Sequence, residues 1–356
     1  MSDSETNAAR RSGPTIYDVA AACGVAPSTV SRTFSRPGRV NAETAERIRR
    51  VAAEMGYRAN PLARALPTGR TSLLAVIVAD VTNPFFFDIL RGAETAADAA
   101  GYTLLVADVQ ESVDAERRAL DRAIPMVEGV VLATSRMSDS SIRVAAKQRP
   151  TVVLNRSMTD VSSVAPDNAR GMRRAVEHLA GLGHTSITYL AGPEASWADG
   201  IRWQAMREAA YELDLKVKRL GPFPPTQAGG LAAAQAFARS PGTAAIAYND
   251  LIAIGAIRGM IRLGARVPQD VSVVGFDNIF GADFCTPALT TVAAPLRHLG
   301  SLAVEMLIRE LRGGTRRSEP RTAVRSMLLP SRLLERASTG PVARRRRTWR
   351  TPPAAA

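Results

Sequence analysis

Cysteine is nearly missing from the 356 residues: Cys23 and Cys285 stand far apart with no Cys-x-x-Cys spacing. A disulfide scaffold and a thiolate metal cluster are thereby excluded. Long apolar runs are missing as well. None approaches the roughly 20 residues of a membrane span, and the opening MSDSETNAARRSG has no apolar signal core. Export and membrane insertion are disfavoured, and a cytoplasmic protein is expected. The three histidines, His178, His184 and His298, are isolated from one another, and G-x-x-x-x-G-K-[ST], G-x-S-x-G and H-E-x-x-H are all absent. Phosphate-loop, serine-hydrolase and zinc-protease chemistry therefore have no foothold, no cofactor or metal is expected, and the chain does not read as an enzyme. Acidic residues are too few to balance the bases. Against 33 Asp and Glu stand 46 Lys and Arg, a net charge of +13, and such an excess points to an anionic partner.

The excess sits at the two ends. Residues 1–70 carry 11 Lys or Arg against 6 acids, and residues 338–356 carry 5 Arg and no acid. The long middle is close to balanced, as in an ordinary globular protein. Residues 1–13 are polar and aperiodic and read as a disordered arm. Thr15, with Asp18 three residues on, fits a capped helix start, and Ile16, Val19, Ala20 and Cys23 share one helical face before Gly24 stops it. Pro27 suits the first turn of a second helix carrying Val30 and Phe34 inward. Asn41 suits the cap of a third, with Ala45, Ile48, Val51, Ala52 and Met55 inward and Gly56 as its stop. Three short helices, the first two joined by a tight turn, make a helix-turn-helix domain over 14–59. Residues 60–71, bracketed by Pro61, Pro67 and Gly69, form a linker too short to be a stable helix alone.

From Ser72 the pattern alternates. Apolar runs at 72–80, 102–109, 127–135, 151–157, 186–193, 243–250 and 270–278 are each followed by a helical pattern. Such alternation predicts parallel sheets covered by helices on both faces, an α/β core. Seven strands suit two lobes: a first of about 72–165 and 295–320, and a second of about 166–294 and 321–336. The stretch 322–329 adds an edge strand, and 337–356 reads as a basic disordered tail.

Several segments, TIYDVAAACGVAPSTVSRTFS, RVNAETAERIRRVAAEMGYRANPLARAL, NPFFFDIL, HLAGLGHTSITYLAGP, AAIAYNDLIAIGAIR and RVPQDVSVVGFDN, occur in this order from Thr15 to about Leu334. Together they resemble the LacI/GalR (lactose-repressor) family of bacterial transcription regulators. The resemblance implies a helix-turn-helix headpiece, a hinge helix and a two-lobed core like a periplasmic binding protein. It also implies a homodimer on palindromic double-stranded DNA, acting as a repressor in the bacterial cytoplasm, associated with the nucleoid. Matching residue by residue, the base-reading positions fall on Pro27, Ser28 and Arg32. Pro27 lacks a side-chain donor, so reading leans on Ser28 and on Arg32, whose guanidinium can pair with guanine. Thr15, Tyr17, Thr29, Ser31, Arg39 and Asn60 match positions that hold the DNA backbone, although Tyr17 could equally be a core residue of the headpiece. Ala63 and Leu66 match the hinge, where the leucine wedges into the minor groove.

The same resemblance implies a small-molecule effector, a sugar, held between the lobes. Its positions match Asn83, Phe86, Phe87, Asn155, Arg202, Phe223, Asn249, Asp250 and Asp277. Asp277 and Arg202 are the strongest, since a carboxylate can accept from two hydroxyls and a guanidinium can hold ring oxygens. One of Phe86 and Phe87 is expected to face the ligand and the other the core, while Trp197 and Trp203 are open between stacking and packing. Two competing classes share the core: a cytoplasmic sugar-binding protein and a sugar-modifying enzyme, each without a role on DNA. The headpiece argues against both.

Overall fold

A computed structural model describes residues 13–35, 38–57, 71–313 and 325–342. Its chain divides into a small N-terminal unit and a large one from Ser72.

The small unit contains α1 (Ile16–Cys23), α2 (Pro27–Ser35) and α3 (Ala42–Glu54). The Thr15 hydroxyl accepts from the Asp18 amide, and the Asp18 carboxylate accepts from the Thr15 amide at 2.7 Å, so two otherwise orphan donors are satisfied reciprocally. Gly24 closes α1 in the left-handed conformation, at φ 61°. Asn41 caps α3 by accepting from the Glu43 amide at 3.0 Å. Val19, Ala20, Cys23, Val30, Ile48 and Ala52 form the core, flanked by Phe34 against Tyr57 at 5.9 Å between rings.

The large unit holds two six-stranded sheets. The first lobe contains β1 (Leu73–Val78), β2 (Thr103–Asp108), β3 (Gly129–Ala133), β4 (Thr151–Leu154), β5 (Ser163–Pro166) and β11 (Ser326–Leu329), in the order β11-β5-β4-β3-β1-β2. The second contains β6 (Ser186–Leu190), β7 (Lys216–Leu220), β8 (Ala244–Ala247), β9 (Ser272–Asp277), β10 (Thr290–Ala293) and β12 (Arg332–Leu334), in the order β12-β10-β9-β8-β6-β7. Central strands such as β3, β4 and β9 are buried along their whole length, which explains their unbroken apolar text.

Helices α4 (Phe85–Ala99), α5 (Val113–Ala123), α6 (Asp139–Gln148) and α11 (Leu296–Gly313) serve the first lobe, and α7 (Asn168–Gly181), α8 (Trp197–Glu212), α9 (Gln227–Ala238) and α10 (Asp250–Arg262) the second. After Pro295 the chain returns to the first lobe. There α11 packs on α4 through glycines: a Cβ at Gly300 would stand 2.0 Å from the Ile89 carbonyl oxygen, and one at Gly92 1.9 Å from that of Arg297. Both obstacles are backbone. Gly300→Ala is therefore expected to force the helices apart and cost about 1–3 kcal/mol. Urea denaturation checks this, and an unchanged midpoint would contradict the close approach.

Three expectations need correction. Residues 326–329 lie in the first sheet, parallel to β5, and not in the second lobe. The chain enters the second lobe after β5, leaves it after β10 and re-enters it after β11, and the Asp167 amide donates to the Leu329 carbonyl where two of these crossings meet. The second sheet is not purely parallel, because β12 runs antiparallel to β10. Residues 337–342, expected in a disordered tail, strap the second lobe. Ser338 is buried, its hydroxyl donates to the Val273 carbonyl at 2.6 Å, and the Val342 amide donates to Leu182. Buried His184 lies under this strap within hydrogen-bond reach of Thr243, Ser272 and the Gly340 carbonyl. Burial pulls its pKa down, so it is a neutral structural group.

Candidate functional site

In the headpiece, the first turns of α2 present Ser28 and Arg32 to solvent, with the Arg32 guanidinium donating to the Ser28 hydroxyl at 3.2 Å. The i, i+4 spacing puts both on one face, opposite buried Val30 and Thr33. Pro27 is half-buried as the first residue of α2, and Thr29 and Ser31 are half-buried beside it. Thr15 and Arg39 are exposed. Tyr17 is 70% exposed, which removes its reading as a core residue. Asn60, Ala63 and Leu66 lie outside the described residues.

In the large unit, the C-terminal ends of β1, β3, β4, β8 and β9 meet at a cleft between the lobes, as open parallel sheets direct their ligand sites. The non-atom space at the cleft, its solvent-open mouth included, is about 310 Å³. The first lobe supplies Asn83, Phe85, Phe86, Glu111, Thr134, Arg136 and Asn155, and the second supplies Arg202, Pro225, Tyr248, Asn249 and Asp277. Thr134 and Asn155, directly after β3 and β4, and Asp277, at the end of β9, have positive φ, of 63°, 63° and 112°. For a β-branched threonine this is a costly backbone, of the kind that surroundings sustain at functional sites.

Arg202 is the hub of the second-lobe wall. It emerges from α8 and is 2% exposed. Its Nε donates to the Asn168 side-chain oxygen at 2.9 Å, its Nη1 to the Tyr248 carbonyl, and its Nη2 to Asp277 at 3.2 Å. The guanidinium lies 3.6 Å from the Phe276 ring centre and 5.2 Å from that of Tyr248, so aromatic faces replace the water it lost. Tyr248 folds over Gly192, where a Cβ would stand 2.4 Å from the ring. Asn249 caps α10, accepting from Ile252 while donating to the Pro225 carbonyl.

Behind Asp277 lies a second carboxyl. Asp250 accepts from the Thr291 hydroxyl at 2.6 Å and from the Ile279 amide at 2.9 Å. Burial, reinforced by the neighbouring Asp277, pushes Asp250 up to about 8; burial pushes Asp277 up to about 7 against the pull of Arg202. The folded core thus holds protons that the unfolded chain, whose aspartates ionise near ~4, has released. Its stability accordingly falls as pH rises from about 4 to about 8. Asp250→Asn removes one of these protons from the balance, so its melting temperature relative to wild type is expected to climb between pH 5 and pH 8.5. A difference constant with pH would contradict the assignment.

The structure brings together Asn83, Phe86, Asn155, Arg202, Asn249 and Asp277 from the expected set. Three members are corrected. Asp250 is wholly buried, with its oxygens committed behind β9, and is not a lining residue. Phe87 turns outward at 51% exposure, because Phe85 and Phe86, packed edge to face at 5.1 Å, occupy the inward face of α4. Phe223 packs against the second-lobe core instead of lining the cleft. Trp203 stacks on Tyr189 at 5.9 Å, outside the cleft. Sequence reasoning missed Glu111, Thr134, Arg136, Pro225 and Tyr248. The signal for Thr134 and Tyr248 was present, since each directly follows an apolar strand.

Among the described residues, no three His, Cys, Asp or Glu side chains gather as a metal site requires, and no helix is long and apolar enough to cross a membrane. The family described as "Bacterial regulatory proteins, lacI family" matches residues 15–60, and "Periplasmic binding protein-like domain" matches 176–339. The HTH-type transcriptional regulator DegA of Bacillus subtilis is 32% identical over 340 residues, 92% of this chain and 98% of that protein. The HTH-type transcriptional repressor CytR of Escherichia coli is 33% identical over 308 residues, 84% and 90% of the two chains. The lac repressor dimer bound to operator and the anti-inducer ONPF superposes with a TM-score of 0.80 at 27% identity, covering 92% of this chain and 100% of that one. The regulator CelR in complex with cellobiose gives 0.67 at 28% identity, covering 91% and 99%.

Proposed function

This chain belongs to the lacI family of bacterial regulatory proteins, and from that premise we propose how its own residues carry out regulation. It is a DNA-binding transcriptional regulator, a repressor that works as a homodimer in the cytoplasm and whose DNA affinity is set by a sugar in the interlobe cleft. One observation carries this reading: a single chain joins a basic helix-turn-helix, with Ser28 and Arg32 on the exposed face of α2, to a polar cleft built around Arg202 and Asp277. The lac repressor dimer on operator and the CelR complex with cellobiose support the two halves of the assignment.

Arg32 reads a base edge and Ser28 a neighbouring one, while Thr15, Tyr17, Thr29, Ser31, Arg39 and Asn60 fix the headpiece on phosphates. Ala63 and Leu66 belong to the hinge, the leucine entering the minor groove. Asn83, Phe86, Asn155, Arg202, Asn249 and Asp277 hold the sugar. The linker joins the core at β1 of the first lobe, so the spacing of two first lobes in a dimer sets the spacing of its linkers. A ligand that prefers one lobe arrangement shifts DNA affinity by no more than its differential affinity for the two arrangements. A sugar-binding protein without a role on DNA would have no use for the headpiece, and relatives named as transcriptional regulators disfavour an enzyme.

The test is selection of DNA from a random pool by the full chain, followed by titration. A symmetric sequence bound by two protomers is expected. One protomer on an asymmetric site, or no selected sequence, would reject the reading.

A further inference from the structure

Glu111 and Arg136 form a second guanidinium–carboxylate pair in the cleft, on the wall facing Arg202 and Asp277. Glu111 Oε2 accepts from Arg136 Nε at 2.6 Å, and Oε1 accepts from Nη2 at 3.1 Å, a bidentate pair with the arginine side chain 5% exposed. Both partners are positioned with care. Glu111 follows β2 in a left-handed backbone at φ 60°, its amide donating to the Ala79 carbonyl at 2.6 Å. The Arg136 amide donates to Glu116 at 3.0 Å, and this buried carboxyl from α5 also engages Ser135 and Met137. Across the cleft, the Tyr248 hydroxyl stands 2.9 Å from Ser196 Oγ.

The acidic and basic residues lining the cleft are therefore two arginines and two acids, each arginine already joined to its acid. Nearby Arg156, which does not line the cleft, donates to Asp139 and to the Met137 carbonyl, while its buried Nε has no partner. A phosphate or carboxylate entering the cleft would have to displace a carboxylate from its guanidinium or stay unpaired in a buried site, and neither is favourable. A separate observation calls for a hydroxyl-bearing ligand. The Asn155 side-chain oxygen lines the cleft, is buried and has no hydrogen-bond partner. It requires a donor, and a ligand hydroxyl supplies one.

We propose that Glu111 is a specificity-determining residue that neutralises Arg136, so that the cleft takes uncharged polyhydroxyl ligands and excludes phosphorylated or carboxylated ones. This rests on the reading of the cleft as the effector site and narrows the ligand class. Arg136 retains its donor character toward ligand oxygens while its charge is cancelled locally, and Asn155 accepts from a ligand hydroxyl. Glu111→Gln would leave Arg136 as an uncompensated cation and turn the wall into an anion site.

The test is titration of the full chain with inorganic phosphate at pH 8 and constant ionic strength, with chloride as the control, read by thermal stabilisation. Wild type, Glu111→Gln and the double variant Glu111→Gln/Arg136→Met are compared, so that phosphate binding by the basic headpiece cancels. Glu111→Gln is expected to bind phosphate at least about tenfold more tightly than wild type, and the double variant to lose the gain. Equal binding by wild type and Glu111→Gln, or a gain that survives Arg136→Met, would overturn the proposal. Should Glu111→Gln not fold, wild type and Arg136→Met decide it: phosphate stabilisation that disappears with Arg136 contradicts charge cancellation, and an equal response of the two supports it. Operator binding by the wild-type chain is measured alongside. Its loss would reject the regulator reading, whereas the phosphate titration bears on the cleft alone.

Discussion

Replacing Arg202 by alanine is expected to cost the core about 3–5 kcal/mol of stability and to abolish its response to any cleft ligand. The cost follows from what the guanidinium leaves behind: Asp277 without its cation, the Tyr248 carbonyl and Asn168 oxygen without their donors, and a space between two aromatic rings. Asp250 aggravates it, since a second carboxyl stands behind Asp277 and the pair then loses the guanidinium that offsets Asp277. Adding Asp250→Asn should recover part of the loss, and a double-mutant cycle in urea measures that coupling. Asp277→Asn is the milder substitution. It keeps the side-chain shape and leaves the Asn168 and Tyr248 contacts of Arg202 in place, but deprives that buried guanidinium of its anion, so the melting temperature should fall by less than in Arg202→Ala while the ligand response disappears. Full wild-type stability in Arg202→Ala would mean that the hub is not assembled as described.

The second large effect is on DNA. Arg32→Ala is expected to cost about 1–3 kcal/mol at each half-site and to relax base preference at one position per half-site, leaving non-specific binding nearly intact. Raising salt from about 50 to about 200 mM should weaken operator binding by about 10³-fold or more, through re-uptake of counterions by phosphates that the headpieces release. Arg39→Ala, by contrast, should weaken binding evenly across sequences. Competition titrations on single-base operator variants distinguish the two substitutions, and a uniform loss for Arg32→Ala would make it a phosphate contact.

How much of this was legible in the sequence depended on where the signal lies. The headpiece could be read because its boundaries are local chemistry: Thr15 with Asp18, Gly24, Pro27 and Asn41 each act within four residues of themselves. The central strands could be read because burial on both faces leaves an unbroken apolar run. Strands β5, β7, β10 and β12 could not. β7, KVKRL, is a half-exposed edge with three bases, and β12 is three residues long. Arg202 and Asp277 carried through from the family motif to a direct ion pair. Asp250 was misplaced because it neighbours Asn249 in sequence but sits on the other side of β9, where Gly275 lets its carboxyl approach within 2.1 Å of an absent Cβ. Glu111 and Arg136 left no local trace. They are 25 residues apart, follow different strands and meet only once the sheet order β3-β1-β2 places those strand ends in line.

The central claim is that occupancy of the cleft sets DNA affinity through Asp277. The measurement that tests it most directly is a fluorescence-anisotropy titration of the selected operator with wild type and Asp277→Asn, with and without a saturating sugar identified by thermal shift on the wild-type chain. The account predicts at least about a tenfold change in wild-type operator affinity on adding the sugar, and none in Asp277→Asn, with the two proteins within a few-fold of each other when ligand-free. An operator affinity in wild type that is the same with and without the sugar would contradict it.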